Sequence, residues 1–358
     1  MKKVKSPWGS RYGKPARILH GLALGIPFVA ETSFDIEQVV LRPDISSVVG
    51  RKHVFIAGLA RSGTTLLMRR FYASGRFFSL TYRDMPFVLM PSLWRKVSAF
   101  ARQRPQRQER AHGDGIFIDH DSPEALEEVF WRTFTGHEYI RSDKLIPVTP
   151  DDEVIARFRA YVASILSQAV DGREVCYLSK NNNNILRLPS LRKAFPGALI
   201  IVPYRDPLQQ AMSLLCQHQR FLRDEKMDTF TSRYMRWLGH HEFGADHRPF
   251  CFGKGQARYH DSSDLNYWIE LWLNTYAWLD AQAPDTALFL SYETFCRDTA
   301  RVWERLSAKA CIPIDIPLAD AVIFQERREE APVDRGLLAE ADKVYASLAA
   351  RASWTDDT

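Results

Sequence analysis

The run from His53 to Arg70 limits what this chain can fold into more than any other stretch. Val54 to Ala57 is short and wholly apolar, the pattern of a parallel strand covered on both faces. Gly58 and Gly63 bracket four residues, and Ser62, Thr64 and Thr65 stand where a helix begins. A helix start carries unpaired N–H groups and the positive end of the helix dipole, so it attracts an anion. The segment predicts a buried strand, a phosphate-holding turn and a helix. A tight strand-to-helix turn with no ligand is the simpler reading of the same glycines. The loop nearly matches the nucleoside-triphosphate pattern G-x-x-x-x-G-K-[ST], but Thr64 stands where that pattern needs a lysine for the β- and γ-phosphates. The cation here is Arg61, inside the loop. A phosphate cradle with one arginine remains, and the triphosphate reading is weakened.

With 358 residues, the chain is long enough for one large α/β domain. Its 46% hydrophobic and 25% charged content is that of a globular protein. A net charge of +5 suits anionic ligands and does not require nucleic acid. The five cysteines are scattered, odd in number and without metal-ligand spacing. They predict free thiols in a reducing compartment, and hence a cytoplasmic protein. Lys2, Lys3 and Lys5 precede an apolar run from Ile18 to Ala30, 13 residues long. That is too short to span a bilayer, and His20, Gly21, Gly25 and Pro27 interrupt it. A packed amphipathic segment is expected, and peripheral membrane contact stays open.

Strand-like and helix-like segments alternate along the chain, which argues a parallel sheet with helices on both faces. The expected organisation is an N-terminal extension over 1–50, an α/β domain over 51–330 and a C-terminal helix or tail over 331–358. Acceptor-side insertions are expected near 85–120 and 222–262. Phe77 to Leu80 reads as a second strand ending beside the first loop. Asp121-Ser122-Pro123-Glu124 reads as a helix start, with Leu126, Val129, Phe130 and Phe134 at helical spacing. Helices are also expected over 151–169, 187–195, from Pro207, over 264–282 and over 293–311, with strands over 175–179, 198–204 and 287–291. Residues 222–262 read as irregular. Arg95, Lys96, Arg102, Arg104, Arg107 and Arg110 crowd 95–110. That stretch is either a solvated loop or a lid over an acidic acceptor, and it is a second candidate for membrane contact.

Ile200 to Ser213 repeats the logic of the first loop. A strand ends, Asp206 is placed to cap and Pro207 takes the first helical position. Ser213 lies two helical turns beyond Asp206 and returns to the face of the helix start. Arg205 and Ser213 can grip one phosphate from two directions. The competing role of Arg205 is a capping or ion-pair role with Asp206.

The pair Ala60-Arg61-Ser62-Gly63-Thr64-Thr65-Leu66 and Tyr204-Arg205-Asp206-Pro207 … Ser213 resembles the two nucleotide-binding signatures of sulfotransferases. These enzymes take 3′-phosphoadenosine-5′-phosphosulfate (PAPS) as donor and release 3′,5′-bisphosphoadenosine (PAP). The resemblance covers residues 53 to about 310 and is similar to the bacterial and Golgi tyrosine-protein branch. It includes Leu178-Ser179-Lys180-Asn181 and Tyr292-Glu293. It implies a P-loop-like three-layer fold, a central parallel β-sheet flanked by helices. It implies that Arg61, Ser62, Gly63, Thr64, Thr65 and Leu66 hold the 5′-phosphosulfate, that Arg205 and Ser213 hold the 3′-phosphate, and that no metal is required. Lys180 would reach the transferring sulfate from the neighbouring strand. Asp84 is the first candidate for the base, as it follows the second strand; an ion pair with Arg83 is its competing role. His120, flanked by Asp119 and Asp121, is the second candidate, and Glu124 and Glu128 follow. A metal cluster of His240, His241 and His247 is disfavoured by their spacing. The acceptor is expected to be a hydroxyl compound, a carbohydrate for preference, with no nucleic-acid partner. A nucleoside-triphosphate kinase-like enzyme and a non-catalytic phosphonucleotide binder are the competing functions.

Overall fold

A computed structural model of the chain describes residues 12–98, 108–109, 117–118, 123–169, 174–253, 257–310 and 332–352. Its strands are β1 (Val54–Ile56), β2 (Phe77–Phe78), β3 (Gln108–Glu109), β4 (Phe117–Ile118), β5 (Cys176–Lys180), β6 (Leu199–Tyr204) and β7 (Leu288–Ser291). Five of them form one sheet in the order β2-β5-β1-β6-β7, and every pairing in it is parallel. β3 and β4 pair separately as an antiparallel ladder. β1 is central, so the loop after it leaves the sheet between the tips of β5 and β6. The backbone binds it there on both sides: the Asn181 N–H donates to the Ile56 carbonyl at 3.1 Å, and the Ala57 N–H donates to the Ile201 carbonyl at 2.9 Å.

The helices, in chain order, are α1 (Lys14–Gly25), α2 (Pro27–Leu41), α3 (Ser46–Val49), α4 (Thr64–Ala73), α5 (Pro91–Ser98), α6 (Glu128–Tyr139), α7 (Asp152–Leu166) and α8 (Leu188–Ala194). They continue with α9 (Pro207–Met227), α10 (Thr229–Trp237), α11 (Leu265–Gln282), α12 (Tyr292–Arg297), α13 (Thr299–Ala310) and α14 (Arg335–Arg351). Alternation along β1 divides the core. Phe55 and Ala57 enter the cluster that holds Phe158, Tyr177, Phe195 and Trp272. Val54 and Ile56 enter the opposite cluster, with Leu67, Phe71, Phe77 and Trp303. A strand buried on both faces has no polar alternation, which is why the apolar run was readable. Acidic caps start three helices, Asp206 as expected: it accepts from the Gln209 N–H at 2.9 Å, while Asp151 accepts from Val154 at 2.8 Å and Asp264 from Asn266 at 2.9 Å.

Four expectations are corrected. β2 pairs with β5 and is separated from β1 by it, so it does not end beside the first loop. The helix expected from Pro123 starts at Glu128, because Pro123 bridges Thr81 and the Glu124 N–H donates to the Leu80 carbonyl at 3.1 Å. Residues 222–262 are not irregular throughout: α9 runs to Met227 and α10 follows directly. The late helix over 293–311 is broken into α12 and α13 at Asp298. At the N-terminus, the apolar run becomes two helices that meet at Ile26–Pro27, and Phe34 of α2 packs edge-on to Phe134 of α6. No helix among the described residues is long and apolar enough to cross a membrane.

Neighbouring carboxylates at the start of α6 lock the strand tips. Glu128 is fully buried, pairs with buried Arg187 at 2.9 Å and accepts from Asn181 Nδ2 at 2.7 Å and from the Tyr139 hydroxyl. Glu127 accepts from Trp131 Nε1 at 3.0 Å, the Tyr177 hydroxyl at 2.9 Å and Asn184 Nδ2 at 3.0 Å. These bonds place Glu128 in a structural network rather than among acceptor-side bases. Removing one partner of a buried pair strands the other charge, at about 3–5 kcal/mol. Glu128→Ala is therefore expected to lower unfolding free energy in urea by about that amount. A loss below about 1 kcal/mol would contradict the network's role.

Candidate active site

The first loop joins β1 to α4 with two unusual backbone positions. Arg61 has φ of 70° and Gly63 has φ of 90°, both left-handed. A non-glycine residue held there costs about 1–3 kcal/mol, and such strain persists where surrounding contacts over-determine it. At Gly63 a Cβ would lie 2.7 Å from Cδ2 of Tyr292, so only glycine fits. At Gly58 a Cβ would lie 2.6 Å from the Pro203 carbonyl oxygen, which sets how closely the loop approaches β6. α4 then begins at Thr64 with no side-chain cap, so its first N–H groups face the loop's own concavity. Ser62 is buried and its hydroxyl donates to the Leu59 carbonyl at 2.7 Å, closing the turn from within. Its side chain is thus committed to the loop, and its contribution to an anion is its backbone N–H. Thr64 is buried at the helix start, while Thr65 and Leu66 are half-buried beside it.

The second loop meets the first. Arg61 Nε donates to the Ser213 hydroxyl at 3.0 Å, across 152 residues of chain. Arg205 lies with its guanidinium 4.8 Å from the Tyr292 ring centre, the same ring that abuts Gly63. Burial pushes the Tyr292 hydroxyl up to about 12, and both Arg205 and Arg61 act electrostatically on it. Arg61, Gly63, Arg205, Ser213 and Tyr292 therefore form one cluster. A buried relay fixes it: Gln210 Nε2 donates to the Ala60 carbonyl at 2.9 Å, and Trp272 Nε1 donates to Gln210 Oε1 at 3.0 Å and to the Arg205 carbonyl at 3.1 Å. Tyr276 donates to the Pro203 carbonyl at 2.8 Å. Glu293 accepts the Asp206 N–H at 3.0 Å, so Asp206 is held by Glu293 while it caps α9.

Lys180 ends β5, the strand beside β1. The asparagines after it hold a distant turn. Asn182 Nδ2 donates to Glu242 Oε1 at 2.8 Å, and Asn183 Nδ2 donates to the Gly239 carbonyl at 3.0 Å. That turn carries His240, whose Nδ1 is 3.5 Å from Glu242 Oε1; both side chains are about seven-eighths buried, at 13% and 14% exposure. Burial opposes a charged imidazole, but the Glu242 carboxylate outweighs it and holds the His240 pKa above the ordinary value, against Lys180. Burial likewise opposes the Glu242 charge, and His240, Lys180 and Asn182 together hold its carboxyl well below the usual range. Glu124 also acts on His240, and accepts from the Tyr82 hydroxyl at 2.5 Å. A small cavity lined by Leu59, Ala60, Leu214, Glu242, Phe250 and Trp268 runs between the first loop and this turn.

The other sequence-read residues fall elsewhere. Asp84 is fully buried: Oδ2 accepts from the Thr81 N–H at 2.7 Å, and Arg95 Nε donates to Oδ1 at 2.8 Å. Its partner is Arg95, not Arg83, and these contacts make it an anchor of its turn rather than a base for an acceptor proton. His120 lies outside the described residues, as does most of the basic stretch over 95–110. His240, His241 and His247 do not converge: His241 pairs with Asp246 at 2.9 Å and His247 Nε2 lies 2.7 Å from the Tyr267 hydroxyl. The sequence singles out His240 only within that histidine run and carries no signal of its pairing with Glu242.

A strand tip, a glycine-bounded loop and a second arginine–serine loop converge on one cationic cluster, an arrangement suited to an anionic ligand. A sequence model of the sulfotransferase family matches residues 53–315, and the chain belongs to that family. It is a sulfotransferase. No match was found among curated proteins. Among solved structures the chain is similar to sulfotransferase STF9 from Mycobacterium avium, at 13% identity over 91% of this chain and 74% of that one, with a TM-score of 0.45. It is also similar to sulfotransferase STF1 from Mycobacterium tuberculosis H37Rv, at 13% identity over 90% and 83%, with a TM-score of 0.45. A sulfotransferase from Alicyclobacillus acidocaldarius matches at 15% identity over 85% and 95%, with a TM-score of 0.41.

Gly63→Ala puts a methyl group against Tyr292 at a left-handed position. It is expected to lower stability by about 1–3 kcal/mol. Gly50→Ala, at φ of −83° with open space around it, is the control and is expected to be neutral or slightly stabilising. Thermal denaturation of both variants checks this, and equal midpoints would contradict the assigned constraint at Gly63.

Proposed function

We propose that the chain transfers a sulfuryl group from PAPS to a hydroxyl acceptor, with the donor held by the paired loops. The observation that carries this is the Arg61–Ser213 hydrogen bond, which joins the two signatures beside Arg205 and Tyr292. The donor set fits a bis-anionic nucleotide: two guanidiniums, hydroxyls, and an uncapped helix start at a glycine that tolerates no Cβ. When bound, PAPS supplies a sulfuryl group on a 5′-phosphate leaving group. In this reading Arg61 and the amides of Ser62 to Leu66 hold the phosphosulfate end, and Arg205 and Ser213 hold the 3′-phosphate. Lys180 offers its ammonium to the developing negative charge.

The acceptor's proton goes to His240. Its Nδ1 faces Glu242, which leaves Nε2 as the accepting atom and orients the ring. This reading takes the base from the 239–242 turn, because Asp84 is engaged by Arg95 and Thr81. The acceptor is a hydroxyl on a compact body with a ring or apolar face, a carbohydrate or small alcohol. Trp268 and Phe250 in the cavity wall supply the aromatic surface for it. Four free thiols among the described residues favour a reducing, cytoplasmic setting, and peripheral membrane contact is part of the same reading.

Calorimetry with PAP, and with ATP and magnesium, tests the donor. PAP is expected to bind without magnesium and to lose about 10- to 100-fold in affinity in Arg205→Ala and Ser213→Ala. Magnesium-dependent ATP binding in its place would mark a kinase-like enzyme, and PAP binding without turnover in a radiolabelled PAPS acceptor screen a non-catalytic binder. The base has a separate signature. His240 must be neutral to accept a proton, so kcat/KM is expected to rise with pH through a value above 6.5, where Glu242 holds it. His240→Gln is expected to cost about 100- to 10,000-fold and to remove that limb. An unchanged limb in His240→Gln would sink the assignment.

A further inference from the structure

The peptide between Arg205 and Asp206 is the backbone origin of Arg205, and it is pinned on both sides. Its carbonyl accepts from Trp272 Nε1 at 3.1 Å, and its N–H donates to Glu293 Oε1 at 3.0 Å. Glu293 is the second residue of α12, after Tyr292, whose ring abuts Gly63 and faces Arg205. Its other oxygen, Oε2, accepts from two hydroxyls, Ser291 at 3.1 Å and Tyr345 at 3.2 Å. Ser291 ends β7, the strand directly before α12, whereas Tyr345 comes from α14, 52 residues along the chain. The family match ends at residue 315, so α14 lies beyond it.

Both ends of α14 are tied down, so it can serve as a buttress. Leu337, Ala341 and Leu348 are buried at helical spacing. Asp334 caps the helix and accepts from the Tyr259 hydroxyl at 2.7 Å, and its N–H donates to Asn266 Oδ1 at 2.8 Å. At the far end Arg351 pairs with Asp280 at 3.3 Å and lies 4.5 Å from the Phe289 ring centre. The Tyr345 ring packs edge-on against Tyr204, with 5.4 Å between centres, while its hydroxyl reaches Glu293. Burial, then the Glu293 carboxylate, push that hydroxyl up to about 12, so it stays protonated and remains a donor. A carboxylate oxygen held by two hydroxyls fixes the group in one orientation, with Oε1 toward the Asp206 N–H. We infer that Tyr345 is a positioning residue of the donor site: from the C-terminal helix it fixes Glu293, which fixes the peptide from which Arg205 reaches the 3′-phosphate. This rests on the PAPS reading given above. The precision of a site depends on the groups that lock its contacting residues.

Tyr345→Phe keeps the ring against Tyr204 and removes only the hydroxyl. In calorimetry of the full chain it is expected to bind PAP about 3- to 10-fold more weakly than the parent. Ser347→Ala loses a hydroxyl of the same helix, one that donates to Asp280 at 2.6 Å, and is expected to bind PAP like the parent. In an Arg205→Ala background Tyr345→Phe is expected to cost nothing further, because its effect passes through Arg205. Without any ligand, hydrogen exchange of the Asp206 amide is expected to quicken in Tyr345→Phe and to be unchanged in Ser347→Ala. If the parent binds PAP and Tyr345→Phe binds it equally well, the inference is overturned and the donor reading stands. An equal loss in Ser347→Ala, an undiminished loss in the Arg205→Ala background, or unchanged exchange at Asp206 overturns it in the same way. A parent that fails to bind PAP removes the donor reading itself, and this inference with it.

Discussion

Everything at this site depends on two backbone loops being held at one fixed separation. Ala60 and Arg205 lie in loops that follow different strands, and a single buried relay through Gln210 and Trp272 bonds both of their carbonyls. Gly58 sets the approach of β1's loop to β6, and Gly63 sets its approach to Tyr292. Preorganised donors stabilise charge without moving at the moment of reaction, and that requires the supporting shell to be rigid. The relay is buried, so an unmade bond within it would cost the desolvation of the stranded group, about 1–3 kcal/mol. The strain at Arg61 fits the same logic: a left-handed arginine persists because loop closure by Ser62, the relay and the Ser213 bond leave it no alternative.

The acceptor side rests on a second rigid shell. Glu128 and Glu127 accept from Asn181 and Asn184, and the intervening Asn182 and Asn183 donate to the turn that carries His240 and Glu242. Arg187 keeps Glu128 from being an uncompensated buried charge, with aromatic faces of Trp131 and Tyr139 on its guanidinium at 4.9 and 4.7 Å. Strand tip and distant turn are thereby one unit, which in the proposed reading lets Lys180 and His240 address one reacting group.

What the chain revealed before its structure was what short-range rules control. The buried strand, the two glycines, the Asp206 cap with Pro207, and the return of Ser213 to the helix face are all settled within a dozen residues. The misreadings involved longer range. The helix at Pro123 was delayed because Thr81 takes that residue into a bridge. Asp84 reads from the sequence as a candidate base, with an Arg83 ion pair as its competing role, yet Arg95 from α5 reaches it. β2 looked adjacent to β1, and nothing local could reveal that β5 inserts between them. His240 and Glu242 carried no local signal of their link to Lys180, since the asparagines that hold them lie 60 residues away for the Asn182–Glu242 bond.

The most direct test of the central claim is amide hydrogen exchange of the two loops with and without PAP. If the loops form one donor site, PAP slows exchange over 58–66 and 204–213 together, without magnesium. Slowing of only one segment, or equal slowing of both by ATP with magnesium, would contradict the account.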